Sequence, residues 1–125
     1  MKGDPVTLRA LALISGVYDL LLGVPMLFFA PQMAALFGAP APVPRVNAEL
    51  NGLFTVTLAI GYFWAAQNPA ARRGFFWAAG VFAKGLGAAL FVLDHFRGGS
   101  PDAFLLFAAT DGSLAALTLF LLLSS

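Results

Sequence analysis

The sequence predicts an all-α protein, an integral membrane bundle of four transmembrane helices forming a single domain, 1–125. Three observations carry that expectation. Apolar residues fill 60% of the 125 positions, more than a soluble globule of this size hides from water. Charged residues fill 10%, against roughly 25% in soluble domains. The apolar residues also gather into four segments of about the 20 residues that a helix needs to cross a bilayer. Closed barrels are the other spanning solution, but they need alternating strands. Runs of Leu, Ala and Phe replace alternation here.

The first span is placed at 7–29. Asp19 inside its apolar run, and the lack of a convincing cleavage site, argue against a secretory signal. The connection that follows holds Pro31, Pro40, Pro42, Pro44 and Gly38. Within it, Met33, Leu36 and Phe37 at i, i+3, i+4 predict a short amphipathic turn at the interface. The second span, 47–67, reads as the cleanest, because no charge falls between Glu49 and Arg72. Asn68-Pro69 breaks the chain before a third span at 74–95, and Gly98-Gly99-Ser100-Pro101 before a fourth at 103–123. Lys2, Arg9, Arg72 and Arg73 fall on one side, Arg45 and Arg97 on the other. The positive-inside rule then puts both termini in the cytoplasm of a bacterial-type inner membrane.

Several chemistries are set aside by residue type. A net charge of +1 offers no basic face for nucleic acid. With no cysteine there is no disulfide, thiol catalysis or thiolate metal site. A single histidine supports neither paired haem ligation nor a zinc centre, so no metal is predicted. Ala83-Lys84-Gly85-Leu86-Gly87 lies inside a span and lacks the spacing of a phosphate loop. Ser15 and Ser113 have no histidine at their depth, so a hydrolytic triad is not expected. Enzymatic catalysis ranks third among the readings.

The chemistry that remains lies at membrane depth. Asp19, Lys84 and Asp111 interrupt three of the four spans. Each such residue at a helix centre costs roughly 2.5–3.5 kcal/mol on insertion scales, so all three face the bundle interior or water. Two carboxylates and one ammonium leave one carboxylate over, to be protonated or to meet a cation or polar ligand group. The plainer reading is that Lys84 bridges one aspartate and only sets helix register. Three converging groups where two would suffice favour a polar cavity. A second layer lies nearer the outer face: Glu49 and Asn51 open the second helix, and Asp94 and His95 close the third. Lys84 and His95 are eleven residues apart, about three turns, and so share a face along which Gly80, Gly87 and Ala88 also lie. A polar track from Glu49 and His95 at the mouth down to Lys84, Asp111 and Asp19 is the expectation. Charges at helix ends that merely meet headgroups are its rival. Asn51, Thr55 and Tyr62 share a face of the second helix, and Tyr62 with Trp64 and Trp77 also suits interfacial anchoring. The Phe residues read as lipid contact and core.

The stretch Ala48-Glu49-Leu50-Asn51-Gly52-Leu53, the apolar run after it, Gly61 and the basic pair Arg72-Arg73 carry a family resemblance. So do Arg9, Gly16 and Gly23 with Phe37-Gly38 and Pro40 after them. Over about half its length the chain resembles the DoxX-like family of small four-helix bacterial membrane proteins. The resemblance implies association with respiratory or quinone-linked redox assemblies. Asp19, Lys84 and Thr110-Asp111-Gly112 have no counterpart in that pattern.

The function expected is binding, or carriage across the membrane, of a small molecule or proton. The lining residues are Asp19, Glu49, Asn51, Tyr62, Lys84, His95 and Asp111, with Lys84 balancing charge and Glu49 and His95 at the mouth. The alternative is an accessory or structural subunit of a larger membrane complex, or a homo-oligomer, docked by its small-residue faces. Membrane lipids are the expected surroundings. No cofactor is predicted, although a bound quinone or lipid is compatible with such a cavity.

Overall fold

A computed structural model describes residues 5–124. Lys2 and Ser125, which entered the topology argument, lie outside them. The described residues form helices α1 (Pro5–Phe28), α2 (Ala30–Leu36), α3 (Arg45–Gln67), α4 (Arg73–Phe96) and α5 (Leu105–Leu123), the last entered through a 3-10 turn, Asp102–Phe104. No strand occurs among them.

Each break has a local cause. Phe29 leaves helical geometry between α1 and α2 (φ −135°), and Pro31 opens α2 without needing a backbone donor. Gly38 and Gly98, both with positive φ, end α2 and α4. Ala39 N donates to Ala34 O (2.8 Å) and Gly99 N to Asp94 O (3.0 Å), so both ends are closed by the six-to-one bond that glycine permits. Asn68 ends α3, and its side-chain oxygen accepts from Ala71 N at 3.3 Å.

Three helices are long and apolar enough to cross a membrane: Thr7–Phe28, Arg73–Phe96 and Asp102–Leu123. They sit within a residue or so of three of the expected spans. The fourth expected span is not matched in this way. At 23 residues α3 is long enough, but it is not among the three. Lack of charge is not apolarity: Asn51, Thr55, Thr57, Tyr62 and Gln67 dilute the run between its apolar residues. The outer surface is apolar, with Leu21, Ile60, Phe82 and Phe120 each more than 60% exposed, a coating that soluble monomers rarely present so broadly.

The helices pack as two pairs, α1 on α3 and α4 on α5. In α1 the buried positions Leu8, Leu11, Ala12, Ser15 and Asp19 recur every three or four residues, the stripe of a helix with one inward face. In α5 Ala115, Thr118 and Leu122 do the same, one turn beyond Asp111. Leu8, Leu11, Ala12, Tyr62, Phe76 and Leu121 lead a dry core at one end of the bundle. Arginines close that end. Arg9 Nε donates to Ala66 O (2.8 Å), Arg73 Nη2 to Leu122 O (2.9 Å) and Arg72 to the Trp64 carbonyl, with the Arg72 guanidinium 4.5 Å from the Trp64 ring centre. These bonds serve the carbonyls that the last turns of α3 and α5 leave open, and they fix α1 antiparallel to α3 and α4 antiparallel to α5.

The closest helix approach lies at the other end of the α1–α3 pair. A Cβ on Gly52 would stand 2.5 Å from Leu27 N and 2.9 Å from the Gly23 carbonyl oxygen, both backbone atoms that cannot swing aside. Gly87, which the sequence grouped with Gly80 and Ala88 as a packing stripe, has nothing within 4 Å of such a Cβ. Gly80 faces Thr118 and Ala88 faces Gly112, so of that stripe those two serve the α4–α5 contact, and Gly85 faces Ala115 beside them. Gly52→Ala should therefore force α1 and α3 apart and cost about 1–3 kcal/mol as an overpacking change. Gly87→Ala should gain up to about 1 kcal/mol from helix propensity. Thermal unfolding of the two variants in mild detergent checks the contrast, and equal melting points would refute the backbone contact.

Candidate functional site

Above the dry core the bundle does not close. A cavity of about 470 Å³ lies between α1, α3, α4 and α5, with α2 and the loop after it along its far side. Asp19, Lys84 and Asp111 line it, together with Tyr18, Asn51 and Thr55. The rest of the wall is apolar, led by Leu22, Met26, Met33, Phe37, Phe91 and Phe107.

Local structure aims the charged groups at one another. Asp19 points inward because it occupies the same stripe of α1 as Leu8, Ala12 and Ser15, and Asp111 because it continues the stripe of Ala115 and Thr118. Lys84 arrives differently. The eight residues before it, Phe76–Ala83, form a π-helix, whose wider i→i+5 turns are rare and occur mostly at functional sites. Regular α-geometry resumes at Lys84 itself. The widened stretch keeps Phe76, Gly80, Lys84 and Ala88, four residues apart, all buried.

Lys84 Nζ donates to Asp19 Oδ1 at 2.8 Å, and both side chains are over nine-tenths buried. Asp111 Oδ1 is 3.9 Å from the same ammonium, within ion-pair range but too far for a hydrogen bond, and its side chain is 18% exposed. The ammonium also lies 5.3 Å from the ring centres of Tyr18 and Tyr62, close enough for attraction to the aromatic faces. Tyr18 Oη and Thr110 Oγ1 share a 2.6 Å hydrogen bond that ties α1 to α5 beside Asp111. Thr110 Oγ1 also lies 2.9 Å from Leu106 O, within its own helix. Two polar atoms in this region, Asp19 Oδ2 and Tyr62 Oη, are buried with no hydrogen-bond partner among the described residues.

The residues singled out in the sequence thus divide. Asp19, Lys84 and Asp111 meet, and Asn51 lines the cavity with its Nδ2 donating weakly to Met26 Sδ at 3.5 Å. Tyr62 is 1% exposed, so it is core beneath the ammonium and no interfacial anchor; Trp64 and Trp77, about half exposed, keep that role open. Glu49 stands apart in an exposed i,i+4 pair with Arg45 (3.4 Å), and His95 lies 3.6 Å from Asp102 in the turn before α5. Neither lines the cavity, so the polar track from mouth to middle is not formed. Aromatic rings take its place: Phe37 meets Phe107 at 4.8 Å between ring centres, and Phe91 stands 5.6 Å from Phe107. The interfacial turn around Met33, Leu36 and Phe37 is present as α2, but Met33 and Phe37 face the cavity while Leu36 is exposed.

Tyr18 and Thr110 were missed, although each precedes an intramembrane aspartate. The aromatic wall was also missed, because Phe spacing in an apolar helix does not separate lipid-facing from cavity-facing rings. Among the described residues no three His, Asp or Glu side chains gather as a metal site requires. No protein-family model matches the chain, and no curated protein or solved structure shows significant similarity to it.

Removing one partner of a buried ion pair strands the other, at a cost of about 3–5 kcal/mol. Lys84→Met should lower stability in detergent by that order, and Asp19→Asn should cost more than Asp111→Asn, since only Asp19 holds the ammonium in a hydrogen bond. The double variant Lys84→Met/Asp19→Asn should recover part of the loss. Chemical or thermal unfolding of the set provides the check; neutrality of all the single variants would mean that the groups are solvated.

Proposed function

We propose that the chain is a four-helix membrane bundle of a bacterial-type inner membrane, with α3 as the fourth crossing, and that its cavity binds or carries a small molecule. The carrying observation is the cavity itself, apolar-walled over a floor where two carboxylates meet one ammonium and the Asp111 side chain keeps 18% of its surface exposed. Asp111 stands 3.9 Å from that ammonium, too far for a hydrogen bond, and is the group that a proton or a ligand donor entering the cavity would meet. The volume falls in the range of small-molecule sites, roughly 300–1,000 Å³ with apolar walls and few polar groups. In support of a fourth crossing, α3 runs antiparallel along α1, and Leu53, Phe54, Ile60 and Trp64 are exposed on it. In support of cytoplasmic termini, Arg9, Arg72 and Arg73 gather at one end of the bundle. The alternative, which rests on the DoxX-like resemblance alone, is an accessory subunit in a respiratory or quinone-linked membrane assembly.

Purification in mild detergent followed by native mass spectrometry separates the readings. The wild type should retain a small molecule that Ala48→Phe, which fills the cavity, does not. Recovery with larger subunits and an empty cavity would favour the accessory reading. A reporter fused after Ser125 should be active only in a cytoplasm-dependent format, and activity in the periplasmic format would reverse the orientation.

A further inference from the structure

The charge of the cavity floor narrows what it accepts. Counted at their ordinary charges, Asp19, Lys84 and Asp111 sum to −1, while Glu49 with Arg45, Asp94 with Arg97, and Asp102 beside His95 lie away from the cavity. An uncompensated charge is costly where apolar walls replace water. The single buried ammonium is already committed to Asp19 Oδ1 at 2.8 Å, so an anionic ligand would meet two carboxylates with no free cation to receive it. A neutral ligand would leave the excess charge standing.

Resting on the binding reading above, we propose that the cavity takes a monocationic amphiphile, a primary ammonium on a compact apolar or aromatic body. The ammonium supplies what the floor lacks: one positive charge beside Asp111, the more exposed of the two carboxylates, and N–H donors for its oxygens. A quaternary ammonium carries the charge but no donor. The faces of Phe91 and Phe107 attract a cation and pack against an aromatic body, while Met26 and Met33 adapt to its outline. The ammonium source is a free amine or an aminophospholipid headgroup; the volume of about 470 Å³ favours the compact molecule.

The test is a matched series differing only in charge and donors: naphthylmethylamine, its trimethylated form, naphthylmethanol and naphthoate. Each is titrated calorimetrically at neutral pH into the purified full chain in an uncharged detergent. The primary amine should bind at least tenfold tighter than the alcohol and several-fold tighter than the trimethylated cation, and naphthoate should give no saturable heat. Asp111→Asn should abolish the preference for amine over alcohol, while Ala48→Phe should weaken every probe. Displacement of the amine by phosphatidylethanolamine but not phosphatidylcholine would assign the lipid source, and failure of both to displace it would assign a free amine. If alcohol or naphthoate matches the amine in the wild type, the cation assignment falls and the binding cavity stands. If no probe binds, and nothing is retained through purification, both fall.

Discussion

A lysine ammonium held among apolar side chains sets the terms for the rest of this bundle. Lys84 is tolerable there only because Asp19 meets it at hydrogen-bond distance and Asp111 stands within ion-pair range. Those two carboxylates sit on different helices, one from each packed pair. The attraction therefore joins α1 of the first pair to α4 and α5 of the second, where direct helix packing is sparse. Buried ion pairs are weak sources of stability but strong penalties when mispaired. Such a cluster is best understood as a specification of which helices meet and at what height.

The cluster also marks a boundary. Below it Leu8, Tyr62, Phe76 and Leu121 interlock, and arginines finish the helix ends. Above it the α1–α3 pair stays close, at Gly23 and Gly52, but the space toward α4 and α5 is left open. The π-helical stretch lies just on the dry side of the boundary, where its wide turns keep Gly80 against Thr118 and deliver Lys84 to the floor. A regular helix through the same residues would shift the phase of Lys84 relative to the Phe76 face. Irregular helix geometry is thus confined to the segment that positions the charge.

Apolar groups rim the opening. Phe37 from α2 rests on Phe107, and Phe91 and Phe104 pack around the same ring. This arrangement lines the way to the ionisable groups with apolar side chains. The outcome is a polar floor of two carboxylates and one ammonium beneath an aromatic rim, with the more accessible carboxylate, Asp111, on the cavity side and the less accessible, Asp19, locked to the lysine.

Much of this was legible in composition and punctuation. Helix length, the Pro and Gly breaks, the inward orientation of Asp19, Lys84 and Asp111, and the grouping of arginines at one end all follow from the cost of exposing charge or backbone to hydrocarbon. That cost acts on each residue by its own position in a helix, so a linear reading captures it. It is least decisive at α3, where the absence of charge stands beside five polar side chains. What only the tertiary structure decided depends on phase between helices. Lys84 chose Asp19 over Asp111, Tyr62 became core, Glu49 and His95 fell to the periphery, and four Phe rings took the rim. A π-helical stretch and the close glycine contact set that phase, and neither leaves a periodic trace in an almost uniformly apolar sequence. Hydrophobic pattern says which residues must avoid water; where every face is apolar, only packing between helices says which neighbour each one meets.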